Sequence, residues 1–320
     1  MEENLEDILR NGFLTWRKNL KICIPFLLSS IIRLLLLISF LVIVVMLLNP
    51  IPSTIFESTY YPRHNSLSQI INSIDYPLLV LDILLFIFLL LVLYLISSFF
   101  FAGAIGMAQK AIETGKTSLE DMMEFGKRKF FSLFLAQLVI SIGITFLLLL
   151  LVGIPILITL KVQLIGRSLM GFGGNLFSVL AIIVGIIFAA LPFAIVISDL
   201  GAVNGLKRGY GFFMDNKLPV ILLWVFIRYV TEFINYGILF IAVIVFSLGI
   251  LFIPIPSNIS NILPPTLQHI LMSLSIIFLI TIAIVILVSW IASIFVLSPL
   301  TTVWWSRLYI NKTKSYEEEK

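Results

Sequence analysis

The sequence contains almost none of the residues that form disulfide bonds and metal sites. Its 320 residues include one cysteine, Cys23, and two histidines, His64 and His269. A single cysteine excludes an intramolecular disulfide and leaves no basis for a cysteine-based metal site. Neither histidine is accompanied by a carboxylate motif, and we interpret both as ordinary solvated residues at the outer surface. We therefore predict no catalytic residue, no metal site and no cofactor.

Charged residues are also scarce. Lys, Arg, Asp and Glu together make up 12% of the chain, whereas apolar residues make up 60%, and the mean hydropathy is +1.13. These values lie far outside the range of soluble globular domains. We therefore predict an integral membrane protein, whose main solvent is lipid rather than water.

The apolar residues form runs longer than the roughly 20 residues that cross the hydrocarbon core of a bilayer. Only helices and closed barrels satisfy the backbone in lipid, and these runs lack the alternation of barrel strands. We predict an all-α polytopic membrane bundle of about six transmembrane helices in three hairpins. This single membrane domain covers residues 1–310, and a cytoplasmic tail follows at 311–320. The predicted spans are residues 22–48, 76–107, 130–160, 176–198, 220–253 and 270–297.

The distribution of lysine and arginine predicts the orientation of the chain. Sixteen of them lie in the N-terminal segment, the second and fourth loops and the C-terminal tail. The opposite side has only Arg63, Lys161 and Arg167. Because short basic loops resist translocation, we predict a multi-pass protein of the cell membrane with both termini in the cytoplasm. The basic residues then favour contact with anionic membrane lipids, and no nucleic-acid partner is expected.

Three segments that precede the odd-numbered spans have similar patterns. Each shows apolar residues at helical spacing with a basic margin, as expected of an amphipathic helix beside a membrane. Aligning Gly12, Gly126 and Gly209 places an aromatic residue four positions later in every segment. The predicted helices cover residues 6–18, 117–129 and 202–216.

The alignment extends beyond the glycines. Asn19 and Asn216 coincide in it, whereas the second segment has Leu133 at that position. We interpret the three segments as an internal repeat, each copy being a cytoplasmic amphipathic helix followed by a helical hairpin. The alternative is that basic connectors beside a membrane share such a pattern without being related.

Glycine and proline residues predict where helices approach one another or bend. Gly103 and Gly106 allow close helix packing, and Pro192 interrupts the fourth span. The uncharged stretch 270–306 would be about 55 Å long as one helix, nearly twice the thickness of the bilayer core. We therefore predict a break at Pro299.

Three smaller clusters are interpreted from their composition. Aromatic and basic side chains after position 299 predict an interfacial belt at the inner membrane surface, formed by Trp304, Trp305, Arg307 and Tyr309. A glycine cluster predicts a flexible external loop, because no strand precedes it and no phosphate-binding lysine follows Gly171, Gly173 and Gly174. A capping box that starts a helix is predicted at Thr117 and Glu120.

One long segment resembles a known family. Residues 192–217 read PFAIVISDLGAVNGLKRGYGFFMDNK. This segment is similar to the membrane domain fused to some glycerophosphodiester phosphodiesterases, and to related uncharacterised six-helix archaeal membrane proteins. Residues 7–25 and 103–130 also resemble the corresponding parts. The resemblance implies the membrane module without its enzyme, because that family hydrolyses its substrate in a soluble metal-binding barrel for which this chain has no room.

Two functions from different classes follow from these observations. The first is a non-catalytic membrane module that binds membrane lipids or a partner at the inner leaflet, either another membrane protein or a soluble enzyme. The alternative is a small-solute transporter or channel, for which repeats, intramembrane charges and proline-interrupted helices are typical. An intramembrane enzyme is the weakest reading, since the spans contain no paired Asp or His and no Ser–Lys arrangement.

A candidate intramembrane charge cluster comprises Arg33, Arg228 and Glu232, which lie at similar predicted depth. An unpaired ion at such depth costs at least about 2.5 kcal/mol, so each is expected to have a partner. Arg228 and Glu232 are four residues apart and can pair on one helix face. If the first and fifth helices pack together, Glu232 can instead bridge both arginines and join two hairpins.

Overall fold

The computed structural model of this chain describes residues 3–48, 76–159, 162–250, 280 and 282–318. Within these residues every regular element is helical, which confirms the all-α class. His64, His269, Arg63 and Lys161 lie outside the described residues. The α-helices are α1 Leu5–Lys18, α2 Ile24–Leu48, α3 Tyr76–Thr114, α4 Leu119–Leu148, α5 Ile154–Thr159, α6 Gln163–Ile187, α7 Leu191–Ile197, α8 Ala202–Asp215, α9 Lys217–Ile250 and α10 Ser298–Glu318.

Five helical stretches are long and apolar enough to cross a membrane, and they match the first four predicted spans and the sixth. In their most apolar windows only 6% to 33% of the residues are buried, so most of their surface needs an apolar solvent. This is consistent with a membrane protein. The fifth predicted span is helical within α9 but is not one of the five, so the number six stays a prediction. The five stretches are Leu20–Ile43, Ile83–Thr114, Leu119–Thr159, Gln163–Ile197 and Ile282–Lys314.

The helices predicted before the first and fifth spans are present as α1 and α8. Both end at an asparagine with non-helical backbone angles, whose side chain bonds back to the last turn. The Nδ2 of Asn19 donates to Thr15 O at 3.0 Å, and that of Asn216 donates to Phe212 O at 3.1 Å. Each of these carbonyls also accepts the backbone N–H of the same asparagine, so the side chain adds a second hydrogen bond at the helix end.

The helix before the third span is different. Leu133, the residue aligned with the two asparagines, is fully buried inside α4, and the helix runs on without interruption. The predicted separate helix over 117–129 was therefore wrong in its end, because a leucine cannot cap a terminus. Its start was one residue off, since the capping box is formed by Ser118 and Asp121.

The predicted break at Pro299 was also wrong. Residues 282–292 are helical and continue through a π-helical turn, Ser293–Leu297, into α10. Proline has no N–H and its ring clashes with the carbonyl four residues earlier, so widening one turn accommodates it without ending the helix. The carbonyl involved is that of Phe295, and it accepts a hydrogen bond from the thiol of Cys23 at 3.2 Å.

A second π-helical turn, Leu149–Gly153, precedes Pro155 in the same way. The carbonyl of Leu151, four residues before this proline, lies against the backbone of α6. A Cβ on Gly173 would be 1.8 Å from that oxygen, so only glycine fits there. The predicted external loop was therefore wrong: the glycine cluster lies within α6, where one of its members permits close helix packing.

The buried core lies where α1, α8 and the first part of α4 meet α3, α7 and α10. This corrects the predicted interfacial belt. Trp304 is only 6% exposed and Tyr309 only 1%, because α1 and α8 cover this part of α10. Helix α10 continues to Glu318 and includes most of the segment predicted as a tail.

Candidate functional site

We call the three segments aligned in the sequence the connector segments; they are α1, the first turns of α4, and α8. The first of them, α1, is attached to the last helix, α10. A Cβ on Gly12 would lie 2.4 Å from Cδ1 of Trp304, so the indole ring rests directly on the α1 backbone. The indole Nε1 of Trp304 donates to Leu9 O at 3.0 Å. The absence of a side chain at position 12 therefore allows the ring to reach this carbonyl.

A charged pair strengthens this attachment. Arg307 donates from Nε and Nη2 to the two carboxylate oxygens of Glu3, both at 2.8 Å, in the bidentate geometry that suits a guanidinium. These hydrogen bonds hold the pKa of the Glu3 carboxyl below its ordinary value. Arg307 also donates to Thr15 Oγ1 at 3.2 Å. The N-terminal and C-terminal helices are thus joined at two points of α1.

The other two aligned glycines occupy equivalent contacts. A Cβ on Gly126 would be 3.0 Å from the ring of Phe99 in α3, and one on Gly209 would be 3.0 Å from Cα of Leu191 in α7. In both places the glycine faces the helix that precedes it in the chain. Gly12, in the first described helix, faces α10 instead. The three positions aligned in the sequence therefore share one packing role.

Burial follows the same register in all three segments. The side of each helix that contacts its neighbour is buried at the aligned glycine, four residues before it and seven residues after it. Those positions are Ile8, Gly12 and Asn19 in the first segment, Met122, Gly126 and Leu133 in the second, and Gly205, Gly209 and Asn216 in the third.

The opposite side of the segments exposes apolar side chains beside basic ones. In α1 the aromatic ring of Phe13 and the side chain of Leu14 are exposed, and in α8 those of Val203 and Tyr210 are exposed. The second segment also exposes Leu119 and Met123 in the first turns of α4, but these lie seven and three positions before Gly126, on or beside its packing side. Exposed basic residues border these faces: Arg10, Arg17, Lys18, Lys127, Lys207 and Arg208.

One ionic contact was missed by sequence reasoning. Lys129, whose side chain is 9% exposed, donates to Asp199 Oδ1 at 2.7 Å and to Leu200 O at 3.3 Å. Arg128 Nε lies 3.2 Å from the same carboxylate oxygen. The hydrogen bond from Lys129 lowers the pKa of Asp199, which has a left-handed backbone with φ of 55°. The sequence held a signal for this contact, because Asp199 is the only aspartate or glutamate between Glu124 and Asp215.

The structure brings together only part of the predicted charge cluster. Arg228 and Glu232 form an ion pair on one face of α9. Arg33 instead donates to its own helix, to Ser29 Oγ at 2.8 Å and to Ser29 O at 3.2 Å. Among the described residues Arg33 has no ion pair with Glu232.

Arg228 also borders an open cavity of about 460 Å³ lined by parts of α2, α3, α6, α7, α9 and α10. We call this the central cavity. Its walls are largely apolar and aromatic, with five polar side chains. Two of these, Thr301 and Thr302, donate their hydroxyl hydrogens to Ser298 O, so only their oxygen lone pairs remain for a ligand. The polar side chains are Arg228, Thr231, Ser298, Thr301 and Thr302.

Among the described residues, no group of three or more His, Cys, Asp or Glu side chains is arranged to hold a metal ion. The described residues offer two surfaces that could bind a ligand: amphipathic helices with basic margins in one region, and an open cavity bordered by one guanidinium in another.

Comparison with known proteins identifies the family. A family model described as a domain of unknown function, DUF7847, matches residues 33–305. The chain belongs to this family. It is also 23% identical over 329 residues to an uncharacterized protein of Archaeoglobus fulgidus, a match that covers 98% of each chain. No solved structure matches the chain significantly.

The matched family region includes α3 to α9 completely. It excludes α1 and the part of α10 that follows Trp305, which is most of that helix. The archaeal relative, by contrast, matches over nearly the full length. The predicted resemblance to uncharacterised archaeal proteins is thus confirmed in this general form. The link to the membrane domain of glycerophosphodiester phosphodiesterases stays a prediction. Neither match names a catalytic activity, which is consistent with a protein that is not an enzyme.

Proposed function

We propose that this chain is a non-catalytic module of the cell membrane that binds anionic lipids at the inner leaflet through its three connector segments. In this proposal six helices cross the bilayer as three hairpins, and both termini lie in the cytoplasm. The observation that carries the proposal is the two-sided character of the connectors. In α1 and α8 one side packs onto the helices of the bundle, and the other exposes apolar residues between basic ones.

Such a surface is suited to a membrane interface. Apolar side chains such as Phe13 and Val203 would be poorly solvated in water but are stabilised between lipid headgroups and acyl chains. Basic residues beside them are attracted to an anionic leaflet by about 1 kcal/mol each. Because α1 and α8 are fixed to the bundle by buried contacts, they do not need to be ordered on binding.

The proposal is tested by measuring depth in lipid vesicles. Spin labels replacing Phe13, Met123 and Val203 should collide more often with lipid-soluble oxygen than with a water-soluble nickel reagent, in vesicles that contain phosphatidylglycerol. Labels at Arg10 and Arg208 are matched controls on the basic margins and should show the reverse preference. If both groups of labels were equally accessible to the nickel reagent, the connectors would lie in water and the proposal would fail.

The central cavity favours a second candidate, a transporter or channel for a small anionic solute. A single guanidinium among apolar walls can attract an anion, and its ion pair with Glu232 would compete with the solute. Reconstituted vesicles loaded with candidate anions discriminate the two functions. Reproducible flux of one solute, abolished by Arg228→Gln, would establish transport in place of the lipid-binding module.

A further inference from the structure

A second apolar depression lies on the outer surface of the bundle, between α4, α6 and α8. It has a volume of about 520 Å³ and shares no lining residue with the central cavity. We call it the lateral groove. Along α4 it follows a stripe from Val139 through Gly143 to Leu147, and the facing wall is formed by Val184 of α6 and Phe188, the residue that follows this helix.

The shape of the lateral groove suits an extended hydrocarbon chain rather than a compact ligand. The stripe on α4 covers eight residue steps, which corresponds to a length of about 12 Å. Gly143 lies midway along it, and a Cβ built there would meet no atom within 4 Å. The glycine therefore does not serve helix packing, and its missing side chain leaves open space in the groove.

Only one end of the lateral groove is polar. Lys207 and Tyr210, three positions apart on α8, border it, and every other lining residue is apolar. No carboxylate among the described residues lies within ion-pair distance of Lys207. This end therefore offers an uncompensated ammonium group and a phenol hydroxyl, both of which can donate to a phosphate oxygen.

An apolar groove with a cationic end does not suit water, which would have no hydrogen-bonding partners along the walls. It is complementary to an amphiphile that has a hydrocarbon chain and an anionic head. We propose that the lateral groove binds one hydrocarbon chain of an anionic phospholipid, with the lipid phosphate at Lys207 and Tyr210. This inference rests on the proposed lipid-binding function and gives it a specific site.

The first test fills the lateral groove. The full chain is purified in detergent and incubated with phosphatidylglycerol or phosphatidylcholine of identical acyl chains, and retained lipid is measured by native mass spectrometry. Gly143→Leu adds an apolar side chain where there is room for one, so the helix should remain intact while the groove is blocked. The matched control is Gly171→Leu on α6, which also meets no atom within 4 Å but lies outside the groove.

We expect the unmodified chain and Gly171→Leu to retain phosphatidylglycerol in preference to phosphatidylcholine, and Gly143→Leu to retain much less of both. Equal retention by Gly143→Leu and Gly171→Leu would overturn the groove assignment, while lipid binding by the connectors would stand. A lipid-free dimer that Gly143→Leu dissociates would assign the groove to a second copy of the chain and would also overturn it.

The second test removes the cationic end. Lys207→Gln should lower the retention of phosphatidylglycerol by about fivefold, the effect expected for one lysine near an anionic headgroup, and leave phosphatidylcholine unchanged. Arg167→Gln is the control, since Arg167 is exposed on α6 but neither borders the groove nor belongs to a connector segment. An equal loss in both variants would indicate a general surface attraction and would contradict a phosphate at Lys207.

Discussion

At the scale of single residues, the glycines of this chain have two different roles. Gly12 and Gly173 lie in direct contact with another helix, where any side chain would overlap an indole ring or a backbone carbonyl. Gly143 and Gly171 have no atom near the position of a Cβ. The sequence alone cannot separate these classes, because the neighbours that distinguish them come from distant parts of the chain.

The contact at Gly12 leads to a stability prediction. Gly12→Ala should destabilise the protein by about 1–3 kcal/mol, because the new methyl group overlaps the ring of Trp304 and must push it away from Leu9. Gly171→Ala should be neutral or slightly stabilising, since alanine favours a helix and the site is open. Thermal unfolding in detergent measures both. Equal effects of the two substitutions would contradict the packing role of Gly12.

The pair between Glu3 and Arg307 predicts a dependence on pH. The pKa of Glu3 is lower in the folded chain than in the unfolded one, so the pair stabilises the fold at neutral pH. This stabilisation is lost as the pH falls below the usual carboxyl range, around pH 4. Glu3→Gln should therefore lower the unfolding temperature at pH 7, and the difference from the unmodified protein should shrink as the pH falls through the lowered pKa of Glu3.

The control for this experiment is Glu6→Gln. Glu6 is exposed in the first turn of α1 and has no ion pair within the described part of the chain, so its substitution should change little at either pH. A difference between Glu3→Gln and the unmodified protein that stayed constant from pH 7 to pH 3 would show that the carboxylate charge is not involved.

At the scale of elements, two asparagines and one leucine decide where helices end. Asn19 and Asn216 supply side-chain donors to the final carbonyls of α1 and α8, whereas Leu133 has none and α4 continues. The sequence pattern predicted the positions of these helices well, because apolar periodicity is a local property. It did not predict that α4 would continue, because the alignment suggests the same end for all three helices although Leu133 has no hydrogen-bonding group.

The π-helical turns show a limit of the same kind. Proline was expected to break the last long helix, yet Pro299 lies one residue inside α10, after a widened turn. The thiol of Cys23 donates to the freed carbonyl of Phe295, on an element 272 residues away in sequence. A cysteine interpreted from composition as apolar filler therefore has a hydrogen-bonding role that only the folded structure reveals.

This arrangement predicts that substitutions at Cys23 and Pro299 are not additive. Cys23→Ala should destabilise the protein by about 1 kcal/mol, because it leaves the Phe295 carbonyl without its donor. In a Pro299→Ala background the loss should be smaller, since the backbone N–H regained at position 299 can reach that carbonyl. Unfolding temperatures of the four proteins give the coupling energy, and strictly additive losses would exclude a shared acceptor.

At the scale of the whole molecule, the buried contacts concentrate at the connector segments, and the first helix is held by the last. Two pairs make this attachment, Gly12 with Trp304 and Glu3 with Arg307. The two members of each pair lie about 300 residues apart in sequence. The aligned glycines suggested related helices but not their partners. The aromatic residues of α10 were assigned to a membrane interface for the same reason, since the sequence does not show that α1 covers them.

The intramembrane charges provide the last prediction, because they connect the packing of the bundle with its two candidate functions. Arg228 and Glu232 already neutralise one another on α9, and Arg33 donates to Ser29 on its own helix. We therefore expect a double-mutant cycle of Arg228→Gln and Glu232→Gln to show a coupling of about 0.5–3 kcal/mol in thermal stability. The cycle of Arg33→Gln and Glu232→Gln should be additive. Coupling in the second cycle would instead restore the predicted bridge between the first and fifth spans.

Glu232→Gln alone would also leave the guanidinium of Arg228 unpaired beside the central cavity. If the chain transports an anion, that substitution should change flux more than stability, whereas a lipid-binding module should lose stability and leave its lipid retention unchanged.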